Sequence, residues 1–185
     1  MTSTRDEVYV AVRVLAESVE ATYKEECAQR KLQHVPLFNW ETSEFIRTLL
    51  ALDQTLITLP SVDPRTQINV IQCMATWGVL CMKNRGCCAR DVNSGDAGVF
   101  YEAPLSDARI EAIIDTERQY QTEMWPSATP TSVSGQILLI RRYMDKVVEA
   151  WADNPGNEYA LDMLRKVVGL TVCCLEDHGI DDGEY

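Results

Sequence analysis

The spacing of apolar residues along the chain is helical nearly from end to end. Val8, Val12, Leu15 and Val19 recur every three or four positions and predict a first helix over about Arg5 to Arg30. A loop with Pro36 follows. Thr42 or Ser43 can then cap a second helix that carries Phe45, Leu49, Leu52, Leu56 and Leu59 and stops at Pro60. Asp63-Pro64 opens a third helix, with Asp63 as cap and Pro64 at the first helical position, where its missing N–H does no harm. That helix runs to Asn84 or Arg85, and Gly86 suits its C-terminal cap.

Between Gly86 and Ser106 the pattern breaks. GCCARDVNSGDAGVFYEAPLS is rich in glycine and turn formers and reads as a linker over 87–105. The helical scheme then restarts. Ser106 or Asp107 caps a helix through about Trp125, and a Pro/Ser/Thr loop leads to a helix from about Gln136 to Ala152. An Asp153-Asn154-Pro155-Gly156-Asn157 turn precedes a last helix ending at His178-Gly179. The two runs of three helices share features. Glu20-x-x-Tyr23-x-x-Glu26 returns as Glu117-x-x-Tyr120-x-x-Glu123, Asp53 answers Asp145, and Val79, Cys81 and Gly86 answer Val172, Cys174 and Gly179. The expected architecture is all-α: two tandem three-helix units, 1–86 and 106–185, packed as a pseudo-dimeric bundle. Val70 to Met82 is apolar on nearly every face, whereas Asp162 to Leu175 keeps a polar stripe of Asp162, Arg165, Lys166 and Gly169. On that pattern the first unit is the more buried and structural one.

Charge narrows the function. The chain has 17 Lys and Arg against 28 Asp and Glu, a net charge of -11. Such a chain has no general surface for neutralising phosphates and is repelled by anionic lipid headgroups, which excludes polymeric nucleic acid and membrane partners. No apolar run approaches membrane-spanning length and the N-terminus is no signal peptide, so a cytoplasmic location is expected. The seven cysteines include two adjacent pairs and no C-x-x-C, a poor framework for disulfides or zinc, and read as reduced structural thiols. Neither histidine has a partner for catalysis; His178 suits the dipole at a helix end. No nucleophile is paired with a base, so no catalytic residue is assigned.

Two constellations could hold a ligand. Asp145 and Glu149 stand i,i+4 on one helix, and Glu158 and Asp162 i,i+4 on the next. Antiparallel packing would set these pairs face to face, an oxygen-rich arrangement suited to Mg²⁺. The competing reading is a solvated ion-paired face, since Arg141 precedes Asp145 and Lys166 follows Asp162 at the same spacing. The second constellation is Arg141 and Arg142 with Tyr120, Trp125, Tyr143 and Lys166, where guanidinium groups and aromatic faces could receive a small nucleotide.

Residues 117 to 179, through ERQYQ, Trp125, SVSGQILLIRRYMDKVVEAW, NPGNEYALDMLRKVVGL and CLEDHG, resemble small helical proteins of bacteriophages that look distantly similar to MazG-like nucleotide pyrophosphohydrolases. The resemblance implies a helical bundle, assembly into homo-oligomers and a nucleotide between helices. It also implies paired acids, E-x-x-E and E-x-x-D, as Mg²⁺ ligands. Here the first stretch reads Arg142-x-x-Asp145 and the later helix offers Asp162 with Arg165 and Lys166. The expectation is therefore a phage-type protein without a cofactor that binds a small nucleotide-like ligand and does not hydrolyse it, for example to sequester a host defence signal. The alternatives are a Mg²⁺-dependent pyrophosphohydrolase using Asp145, Glu149, Glu158 and Asp162, and an acidic protein-binding inhibitor or DNA mimic.

Overall fold

The structure is a computed structural model and describes residues 2–29, 63–90, 97–125, 132–153 and 158–180. Five helices and one two-stranded sheet occur among them: α1 (Arg5–Gln29), α2 (Pro64–Arg85), β1 (Cys87–Arg90), β2 (Ala97–Tyr101), α3 (Asp107–Met124), α4 (Val133–Asp153) and α5 (Glu158–His178). The helix expected to carry Phe45 to Leu59, with Asp53, lies outside the described residues.

Local signals place the helix ends. The Asp63 carboxylate accepts the Thr66 N–H at 3.1 Å, and Pro64 follows as the first residue of α2. Gly86 closes that helix at φ 87°, its N–H returning to the Met82 carbonyl at 2.9 Å. The Ser106 hydroxyl accepts from the Arg109 N–H at 3.3 Å to start α3. Expected apolar stripes face inward: Val8 and Val12 of α1, Ile137, Ile140, Met144 and Val147 of α4, and Leu161, Leu164, Val168 and Leu175 of α5 are all buried.

The centre of the molecule is α5, packed against all four other helices and β1. α1 lies on α2 and α5, and α3 lies on α5 and β1. Where α2 meets α5, the backbone of Gly78 sits against the Val168 side chain, leaving no room for a Cβ. The burial of α5 extends to its charged residues. Its polar stripe is enclosed rather than solvent-facing, with Asp162 and Arg165 2% and 0% exposed. Helices on several sides leave α5 no solvent-facing stripe, and its charges stay inside by pairing with one another.

The stretch expected to be a linker carries two strands among its described residues. β1 and β2 form an antiparallel hairpin with Cys87 opposite Tyr101 and Cys88 opposite Phe100, and the register shifts before Arg90 pairs with Ala97. Cys87, Cys88 and Arg90 are buried against α3 and α5. Among the described residues no helix is long and apolar enough to cross a membrane.

Candidate ligand pocket

A buried polar network begins at Glu117 on α3. Its carboxylate is 2% exposed and accepts three side-chain donors. Arg90 Nε donates from β1 at 2.8 Å, Gln121 Nε2 donates from the next turn of α3 at 3.0 Å, and Arg165 Nη1 donates from α5. Through Nη2, Arg165 also holds Asp162, whose second oxygen lies 3.3 Å from Lys166 Nζ. Gln121 continues the chain by accepting from Arg118 Nη1 at 2.8 Å, and Arg118 pairs with Glu176 at 2.9 Å. Gly169 makes room for this arrangement: a Cβ there would press on Glu117 Cγ at 2.9 Å and on Gln121 Nε2 at 3.0 Å. Each buried charge has an opposite charge in contact, the condition under which ions persist away from water. Arg165 Nε alone of that guanidinium is buried without a hydrogen-bond partner.

The network forms one wall of a pocket of about 300 Å³. Arg90, Glu117, Gln121 and Lys166 supply its polar lining, and Tyr120, Trp125, Tyr143 and Leu170 the rest. The Arg90 guanidinium carbon stands 3.6 Å from the Tyr120 ring centroid, a stacked cation–π contact that fixes both groups. Trp125 is half exposed at the C-cap of α3, its N–H bonded to the Gln121 carbonyl at 3.1 Å. Lys146 lies over Tyr143 at 4.9 Å.

Of the six residues expected from sequence to receive a ligand, Tyr120, Trp125, Tyr143 and Lys166 meet at this pocket. Arg141 and Arg142 do not line it. Arg141 Nη2 lies 3.9 Å from Asp145 on the same helix, and Arg142 is exposed. Consecutive helical residues diverge by about 100°, so the turn that aims Tyr143 at the pocket cannot also aim its two predecessors there. The guanidinium at the site is that of Arg90, from the stretch read as a linker. Glu117 and Gln121 join the site without having been expected there; their signal in the sequence is ERQYQ, which carries the repeat and the family resemblance but no site assignment.

The four acids considered for Mg²⁺ are not brought together. Asp145 and Glu149 are exposed on α4, Glu158 is exposed at the start of α5, and Asp162 is buried beneath Arg165 and Lys166. No three Asp, Glu, His or Cys side chains among the described residues stand close enough to share a metal ion.

The chain matches no family model, no curated protein and no solved structure.

Thiol chemistry has little opening here. The six described cysteines are free. Burial pushes the thiols of Cys88 and Cys173 up to about 11 and that of Cys174 up to about 12, and raises those of Cys73, Cys81 and Cys87 as well. At neutral pH these groups are protonated, and the thiol form is a poor nucleophile and a poor metal ligand.

Proposed function

We propose that this chain binds a small aromatic anion of nucleotide type in the pocket between α3, α4 and α5 and holds it without transforming it. One observation carries the reading: three aromatic side chains, Tyr120, Trp125 and Tyr143, share a single pocket with two cations, Arg90 and Lys166. Aromatic faces receive a base by stacking, while guanidinium and ammonium groups receive its phosphate. About 300 Å³ lies at the small end of ligand sites, suited to a mononucleotide-sized molecule. For a phage-type protein, such binding would remove a nucleotide signal of the host from circulation.

The reading includes a duplicated architecture. It is supported by α2 and α5 both ending on a glycine at positive φ, 87° at Gly86 and 90° at Gly179, each N–H returning to the carbonyl four residues back at 2.9 Å. It is also supported by the packing, since α1 lies on α2 as α3 lies on α5, with α2 and α5 in contact.

The test is a panel of nucleotides with Mg²⁺, read by thermal shift and by pyrophosphate release. Binding raises the melting temperature because the ligand prefers the folded state. Trp125→Ala and Tyr120→Ala should each weaken binding by about 1–3 kcal/mol, the range for loss of one stacked base. Pyrophosphate release abolished by Asp145→Ala would overturn the binding-only reading in favour of hydrolysis. A panel with no thermal shift at all would overturn nucleotide binding.

A further inference from the structure

The carboxylate of Glu176, near the end of α5, stands outside the pocket but is joined to its wall. Gly169 and Glu176 are seven residues apart, about two helical turns, so both lie on the face that α5 turns to α3. Each oxygen of Glu176 holds a different arginine. Oε1 accepts from Arg5 Nε of α1 at 2.6 Å, while Oε2 lies 3.0 Å from Arg118 Nε and 2.9 Å from Arg118 Nη2 of α3. With two nitrogens on one oxygen, the planar Arg118 guanidinium has a set direction. Its third nitrogen, Nη1, meets Gln121 Oε1 at 2.8 Å.

Gln121 passes that direction on. Its amide has an oxygen that only accepts and a nitrogen that only donates, and one orientation serves both neighbours: oxygen toward the Arg118 guanidinium, nitrogen toward Glu117. The nitrogen donates to Glu117 Oε1 at 3.0 Å, and Gln121 and Glu117 both line the pocket. Gly169 backs the pair, since a side chain there would press on both. Arg118, Gln121 and Glu117 are all buried. Buried groups bonded in series hold one another in place, and a partner lost at one end leaves the next group unsatisfied. Neither Arg118 nor Glu176 belongs to the described lining, so their effect on a ligand passes through Gln121.

On the reading that the pocket is a nucleotide site, we propose that Glu176 and Arg118 are its positioning residues: they fix the Gln121 amide, which in turn fixes the Glu117 carboxylate at the pocket wall. Glu176 also receives the Ser3 N–H on its backbone carbonyl at 3.1 Å. The start of α1 is thereby tied to the residue that sets the wall. Arg5 is the remoter member, because its removal leaves Oε2 and the Arg118 fork in place.

The full chain is compared with Glu176→Gln, Arg118→Lys, Gln121→Leu and the double variant Glu176→Gln with Gln121→Leu. Without ligand, the side-chain amide resonances of Gln121 are followed by nuclear magnetic resonance. With ligand, Trp fluorescence reads the affinity for the 5′-monophosphates of adenosine, guanosine, cytidine and uridine. Glu176→Gln keeps the size of the side chain but removes the charge that holds Arg118, and Arg118→Lys keeps the charge but replaces the fork with a single ammonium. Both should shift the Gln121 amide resonances and weaken the best-bound monophosphate by about three- to tenfold. In the Gln121→Leu background, Glu176→Gln should change affinity by less than about twofold, because the residue it acts through is gone. A merely structural contribution would persist there. Gln121 resonances unmoved by Glu176→Gln, or an equal loss of affinity with and without Gln121, overturn the positioning while leaving nucleotide binding in place. Absence of binding by all four monophosphates at millimolar concentration overturns the nucleotide reading and the positioning together.

Discussion

Glu117 shows what a single residue contributes here. It is the anion that two buried arginines from different elements share, and Arg165 also holds Asp162. Removing one partner from a buried charge cluster leaves uncompensated charge, so Glu117→Ala should cost about 3–5 kcal/mol in a urea denaturation series. A loss below about 1 kcal/mol would show that water or other groups readily take over the arginines. The same residue explains why this part of the site was hard to read. A glutamate beside Arg118 on an amphipathic helix looks like any solvated position, and its true partners lie 27 residues before it and 48 after. Nothing local announces such contacts. Tyr120 and Trp125 were legible because one helix presents both, and Lys166 because i,i+4 spacing ties it to Asp162. Arg141 and Arg142 misled for the opposite reason: adjacency in sequence suggests a basic patch, while helical geometry sends the two side chains in different directions.

At the scale of elements, the helices were legible because their signals are local. Period and caps fixed α1, α2, α3 and α5 to within a few residues, through Asp63, Pro64, Gly86 and Ser106. The hairpin was not, because four residues from Cys87 to Arg90 are too few for a periodicity, and their burial depends on α3 and α5 far along the chain. The burial of the α5 polar stripe was equally out of reach, since it depends on how many neighbours surround the helix. One contact between elements can be tested directly. Gly78 lets α2 approach α5 closely enough that a methyl group there would collide with Val168, a stiff β-branched side chain with no exposed surface. Alanine is favoured over glycine in a helix by about 1 kcal/mol, but overpacking costs about 1–3 kcal/mol, so Gly78→Ala should lower stability by up to about 2 kcal/mol. Adding Val168→Ala should recover part of that loss, because it removes the colliding methyl. A Gly78→Ala protein more stable than the natural one would mean that the two helices separate at little cost.

For the whole molecule, the question is whether the two units proposed from the sequence are folding units. α5 belongs to the second unit by sequence, yet it is covered by α1 and α2 from the first and by β1 from the segment between them. Arg90 from that segment holds Glu117, and Arg5 near the N-terminus bonds to Glu176 near the end of α5 at 2.6 Å. Ser3 N–H reaches the Glu176 carbonyl at 3.1 Å, and the Ile180 N–H donates to the Ser3 hydroxyl at 3.3 Å. The two ends of the described chain are thus tied through one turn of α5. A fragment of residues 106–185 would keep α3, α4 and α5 but expose the faces that α1, α2 and β1 cover and leave Glu117 without Arg90. At about 80 residues it is also near the size below which one hydrophobic core gives only a marginal fold. Expressed alone, it should be helical by far-ultraviolet circular dichroism yet bind hydrophobic dye and lack dispersed methyl resonances, the behaviour of a state that has lost specific packing. Mixing it with a fragment of residues 1–105 should restore dispersion, because that partner returns both the covering helices and Arg90. A cooperative melt and a dispersed spectrum for 106–185 alone would show instead that the second unit folds by itself, with the first packed onto a finished surface. The nucleotide panel applied to the fragment then separates the two outcomes at the site, since without Arg90 the pocket loses the stacking partner of Tyr120 and one of the two cations in its lining.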